Sequence, residues 1–119
     1  MRLFLQKGII TVAILLTSVV GLYAQQGTVK GVLIDKSNQK PVEFANAALL
    51  KASDSTVVTG ANTDLDGSFQ IRGVNAGNYI LRLSFVGYES LFKSVNLSAS
   101  NLNVDLGKLA IVSEGQNLE

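Results

Sequence analysis

In NYILRLSF, residues 78–85, Tyr79, Leu81, Leu83 and Phe85 fall on one side of an extended chain and Arg82 and Ser84 on the other, because successive side chains of a strand point to opposite faces. A helix would scatter the same apolar residues around its axis, so this stretch predicts a strand with one buried face. NLNVDL, residues 101–106, repeats the pattern with Leu102, Val104 and Leu106 inward and Asn101, Asn103 and Asp105 outward. A slip of one residue would bury three polar groups, which fixes the register. TVKGVLID alternates as Val29, Gly31 and Leu33, FANAALLKA as Ala45, Ala47 and Leu49, and ESLFKSVNL as Leu91, Val95 and Leu97. The small inward residues imply close approach of the sheets. STVVTGANT and SFQI supply two further runs, expected to pair with each other across the TDLDG stretch between them. Lys40-Pro41 breaks the chain between the first two runs, where a proline could not donate to a ladder. Seven short strands, with no helical stripe among them, predict an all-β fold: a seven-stranded antiparallel β-sandwich of two sheets packed face to face.

Ahead of these strands lies a segment of another kind. Arg2 and Lys7 form a basic head, and GIITVAILLTSVVGL, residues 8–22, follows without a charge. At fifteen residues it is shorter than the roughly 20 that a membrane-crossing helix needs, and it is expected to be a signal-peptide helix over 1–24, cleaved after Ala24. An uncleaved anchor is the alternative. Once Arg2 and Lys7 leave with the leader, eight basic residues face nine acidic ones and the net charge is −1. That balance gives no electrostatic footprint for nucleic acid, so no nucleic-acid partner is expected. The 119 residues contain no cysteine, which excludes disulfides and a cysteine-linked lipid anchor among them.

TDLDG raises the question of a metal. Asn62, Asp64 and Asp66 are two apart and Gly67 follows, as in the first half of a helix-loop-helix calcium loop. The twelfth position, where that loop needs a bidentate Glu, is Gly73, and the flanks have strand periodicity. The stretch is expected to be a turn, in which Asp and Asn bond nearby backbone and Gly67 supplies positive φ. Asn62, Asp64 and Asp66 are kept only as weak metal candidates. Without His or Cys, histidine-based triads, thiol nucleophiles and His-bearing metal sites are absent. Asp64 and Asp66 lack an apolar pocket that would part their pKa values, so neither an enzyme nor a cofactor is expected.

Taken in order, VKGVLIDKSNQKPVEFANAALL, TDLDGSF, AGNYILRLSFVGYES and LNVDLGKL resemble the carboxypeptidase regulatory-like domain, a transthyretin-like (prealbumin-like) sandwich. The resemblance spans roughly residues 27–109. It rests on Gly31, Leu33 and Asp35, on Asp64, Gly67 and Phe69, on Gly77 and Tyr79, and on the Gly87-Tyr88 turn. More narrowly, a leader followed at once by this domain looks like the N-terminus of Bacteroidetes TonB-dependent outer-membrane receptors and related β-barrel proteins. It implies three parts here: a signal peptide at 1–24, the sandwich at 25–109, and a linker at 110–119 towards a plug and barrel that these residues do not contain. The implied role is a non-enzymatic periplasmic accessory or interaction domain of such a receptor. Its partners would be proteins at the outer membrane, with a plug and barrel in a longer protein, and transport itself would not be encoded here.

The alternative is a free-standing secreted carbohydrate-binding or adhesion sandwich. Trp is absent, and Phe69, Tyr79 and Phe85 are expected on inner faces, which leaves Phe44, Tyr88 and Phe92 for a glycan to stack on. Export makes the first prediction. The leader should be removed near Ala24 and the remainder should reach the periplasm or outer membrane. Intact-mass analysis of the exported species checks this, and a dominant inner-membrane species retaining residues 1–24 would refute it.

Overall fold

The computed structural model describes residues 25–117; the leader expected over 1–24, together with Leu118 and Glu119, lies outside the described residues. Seven strands follow one another: β1 (Gln26–Asp35), β2 (Asn46–Lys51), β3 (Val57–Asn62), β4 (Ser68–Asn75), β5 (Gly77–Ser84), β6 (Leu91–Leu97) and β7 (Asn103–Ile111). They form a three-stranded sheet in the order β4-β1-β7 and a four-stranded sheet in the order β3-β2-β5-β6. The expected all-β sandwich is present.

Two pairings differ from the sequence expectation. β7 runs parallel to β1, with Val29 beside Val104 and Leu33 beside Leu109, so the three-stranded sheet is mixed and every other ladder is antiparallel. Alternation specifies which face of a strand is buried, and a parallel neighbour satisfies it as well as an antiparallel one. β3 and β4 were expected to pair across TDLDG, yet they lie in different sheets. The turn between them carries the chain across the sandwich.

The inward residues of both sheets make one core. Val29, Leu33, Phe69, Ile71, Leu109 and Ile111 of the smaller sheet meet Ala47, Leu49, Leu81, Leu83, Val95 and Leu97 of the larger, all of them buried. Leu81 sits opposite Leu49, and Leu83 opposite Ala47. Gly31 explains the small inward position on β1: a Cβ there would come within 3.1 Å of the Phe69 ring, which lies over the glycine from the neighbouring strand. On β2 Ala48 and Leu50 are buried as well, which alternation alone does not predict. Phe85 departs from the expected inner face. β5 ends at Ser84, the chain turns, and Phe85 is 37% exposed.

Four connections cross between sheets. At one end are β1 to β2 and β3 to β4; at the other are β4 to β5 and β6 to β7. The β4–β5 corner contains only Ala76, and the Tyr79 hydroxyl donates to the Asn75 carbonyl at 2.7 Å, pinning it. Across the first end, Thr63 is 2% exposed and its hydroxyl both accepts from the Ala45 N–H (2.9 Å) and donates to the Val42 carbonyl (2.7 Å). That single side chain ties the β1–β2 connection to the β3–β4 connection. The broken segment at Lys40-Pro41 folds back on β1, with Pro41 bridging Ile34 and the Val42 N–H donating to the Leu33 carbonyl. β7 extends to Ile111, two residues past the boundary expected for the sandwich, and the next residues bond to the turn after β5: Glu89 N–H to Val112 carbonyl, and Glu114 N–H to Gly87 carbonyl. Glu114–Asn117 then forms one turn of 3-10 helix.

Two variants separate shape from hydrogen bonding in this core. Thr63→Val keeps the volume and strands two buried backbone groups, which should cost about 1–3 kcal/mol. Leu83→Ala leaves a cavity between the sheets and should cost roughly 2–5 kcal/mol. Urea melts check both, and a Thr63→Val midpoint equal to the parent's would show that the hydroxyl does not hold the crossings together.

Candidate functional site

The end of the sandwich where β1, β3, β5 and β7 finish collects most of the residues singled out in the sequence. Asp35, the last residue of β1, is buried to 8% exposure. Its carboxylate accepts from the Ser37 N–H (2.8 Å), the Ser37 hydroxyl (2.6 Å) and the Tyr88 hydroxyl (2.6 Å). The Ser37 hydroxyl first, and the Tyr88 hydroxyl next, hold the Asp35 carboxyl below the usual carboxylate value. The same bond to Asp35 pushes the Tyr88 phenol above its ordinary value. Tyr88 closes a turn in which its N–H donates to the Phe85 carbonyl (3.1 Å) and Gly87 takes φ 89°. Its ring lies 5.9 Å from that of Phe85, tilted by 39°. The tether fixes this turn against β1, fifty-three residues back along the chain.

The TDLDG stretch is a turn of defined type. Gly67 N–H donates to the Asp64 carbonyl (2.9 Å), Asp64 N–H donates to the Ser68 carbonyl (2.8 Å), and Gly67 has φ 79°. This is a turn closed by a left-handed residue. A Cβ on Gly67 would also collide with the Leu33 carbonyl, 2.4 Å away, which is where the turn docks on β1 through the Leu33 N–H to Gly67 carbonyl bond. The Asp66 carboxylate accepts from the Ser68 N–H (3.2 Å) and hydroxyl (2.7 Å), which lower its pKa. Asp64 stands 3.4 Å from the same hydroxyl. These carboxylates shape the turn, and among the described residues no group of three His, Cys, Asp or Glu side chains is placed to hold a metal ion.

The motif residues thus divide. Gly31, Leu33, Asp35, Asp64, Gly67, Phe69, Gly87 and Tyr88 lie on β1 or on elements joined to it, whereas Gly77 and Tyr79 serve the β4–β5 corner at the opposite end. Thr63, Ser37 and Val42 were missed. Thr63 continues the inward parity of Ala61 on β3, and Asp35-Lys36-Ser37 has the spacing of an Asx turn, so both signals were present.

The same end exposes large apolar side chains. Phe44 is 68% exposed with φ 61°, a conformation that costs a bulky residue on the order of 1–3 kcal/mol. Leu65, at the tip of the TDLDG turn, and Val86, at the tip of the next, are 77% and 93% exposed. Phe92, also exposed, is the second residue of β6.

The CarboxypepD_reg-like family model matches residues 29–114. The chain belongs to this family. No curated protein matches it. Solved structures similar to it include the group B streptococcus pilus 2b backbone protein (22% identity, 77% of this chain, 43% of that chain, TM-score 0.60). BcpA, the major pilin subunit of Bacillus cereus, is 18% identical over 76% of this chain and 31% of its own, with TM-score 0.64. A 3-chlorocatechol 1,2-dioxygenase from Rhodococcus opacus 1CP is 11% identical over 76% of this chain and 60% of its own, with TM-score 0.54. The chain spans under two thirds of each of these proteins, and at such identities the likeness shows the sandwich fold alone. The CarboxypepD_reg-like match covers both the Asp35–Tyr88 tether and the TDLDG turn.

The tether has a pH signature. A carboxyl whose folded pKa is lowered stabilises the fold above its unfolded value, near about 3.9, and loses that contribution as pH falls through the folded value. A phenol whose folded pKa is raised stabilises the fold below its unfolded value, near about 10, and loses it as pH rises through the folded value. Tyr88→Phe should therefore lower the urea midpoint at about pH 7, with the gap to the parent narrowing towards about pH 2 and again above about pH 10. A gap independent of pH would show that the hydroxyl does not act through the Asp35 charge.

Proposed function

We propose that this CarboxypepD_reg-like domain is a non-enzymatic accessory module of an exported, TonB-dependent receptor-like protein of the outer membrane, working in the periplasm by protein contact. The observation that carries the reading is the order of parts: a leader-like segment over residues 1–24 is followed at once by a domain of this family, matched from residue 29. The chemistry agrees with it. The Asp35 and Asp66 carboxylates at the motif-bearing end are engaged by Ser37, Tyr88 and Ser68, and the side chains exposed there include large apolar contact groups. Edge strands add a second means of contact, since unpaired backbone groups can accept an added strand.

An antibody raised against residues 25–109 tests the proposal in the native host. The expected antigen is much larger than the 119-residue chain and fractionates with the outer membrane. A species of the chain's own mass, or one confined to the cytoplasm, would overturn the receptor reading.

A further inference from the structure

The register of the larger sheet places three apolar tips side by side. Asn46 at the start of β2 lies between Asn62 at the end of β3 and Ser84 at the end of β5. Phe44, two residues before Asn46, lines one hollow with Leu65 of the turn after β3, and the connection bearing Phe85 and Val86 leaves β5 from Ser84, on the other side of Asn46. The Phe44 N–H donates to the Thr63 carbonyl at 3.0 Å, which fixes the first of these neighbours. Apolar residues scattered singly over a surface need no explanation; four exposed on three neighbouring connections at one end of the sandwich make a surface of the kind that marks a contact site. The patch is held in place from below by the Thr63 hydroxyl and by the Asp35–Tyr88 tether.

Charge selects the occupant. The connections and tail at this end carry Glu43, Asp64, Asp66, Glu89 and Glu114 against Lys36 and Lys40. The remaining described strands and connections carry the opposite balance, Asp35, Asp54 and Asp105 against Lys30, Lys51, Arg72, Arg82, Lys93 and Lys108. Two such ends repel one another, which disfavours a head-to-head second copy, and an anionic lipid surface is repelled in the same way. We infer that the Phe44, Leu65, Phe85 and Val86 end of the sandwich docks a polypeptide segment of a partner protein that is basic and carries apolar side chains. This rests on the protein-contact reading above and adds its surface and the partner's chemistry. Apolar side chains of the segment would cover the exposed tips, and its Lys or Arg residues would face the surrounding carboxylates, which steer the encounter.

The test titrates the isotope-labelled chain with a synthetic 12-residue peptide of alternating Lys and Leu, and in parallel with its Glu-Leu and Lys-Ser counterparts. Backbone amide shifts are expected at residues 42–46, 62–67 and 84–88 with the Lys-Leu peptide, falling at least tenfold in affinity for the other two and weakening with salt. Phe44→Gly suits the left-handed backbone, so its thermal midpoint should be at least that of the parent while its affinity drops at least tenfold; Val86→Ser, on an exposed tip, should behave alike in binding. Retained affinity in both variants overturns the inference, as does equal binding of the Glu-Leu peptide. Shifts confined to an edge strand overturn this surface and leave the contact-module reading standing. The same amides responding to phosphatidylglycerol vesicles, or to chain concentration alone, would assign the patch to a membrane or to a second copy and overturn it equally.

Discussion

The hydroxyl of Thr63 holds the two sheets in their relation to each other. Its two buried hydrogen bonds, to Ala45 and Val42, join both connections that cross the sandwich at one end. A buried backbone N–H and carbonyl without partners would each cost desolvation energy, so neither connection can move without leaving a polar group stranded. Tyr79 acts in the same way at the other end, where one residue separates β4 from β5 and the phenol holds the corner. Apolar burial supplies the larger part of the stability, but it is non-directional. These few hydrogen bonds select the arrangement.

On that frame the motif-bearing end is both rigid and unsatisfied. Asp35 binds Ser37 and Tyr88 so closely that the turn after β5 is anchored to the end of β1, and Gly67 brings the TDLDG turn down onto Leu33. The Asp35 and Asp66 carboxylates are engaged within the domain. Exposed beside the remaining charged groups are Phe44 in a strained conformation, and Leu65 and Val86 on the tips of two tight turns. Strain and exposure together at one aromatic are unfavourable for the isolated domain, and such features persist where the surrounding structure over-determines them and where the position has a use.

The family and the fold carry different information. A sandwich of this outline occurs in pilin subunits and in a dioxygenase, so its shape alone assigns neither catalysis nor adhesion. The CarboxypepD_reg-like match adds the family, over a range that includes the residues that build the tether and the turn.

Alternation in β5 and β6 was enough to name the inward residues Tyr79, Leu81, Leu83, Val95 and Leu97, because the side-chain period of a strand is a local property; in β7 the register shifts part-way, so that Val104 and Leu106 are only partly buried while Leu109 and Ile111 fill the core. The sequence alone also settled that Gly67 adopts positive φ, since turn chemistry is written in adjacent residues. It did not reveal that β7 lies parallel to β1, that β3 and β4 part into separate sheets, or that Phe85 leaves the core where its strand ends. Each of these depends on which distant strand supplies the neighbour, and a period of two is the same for every neighbour. The pairing of Asp35 with Tyr88, and the gathering of Phe44, Leu65 and Val86 at one end, likewise belong to the tertiary structure. They arise from strands whose ends meet only after both sheets have closed over a common core.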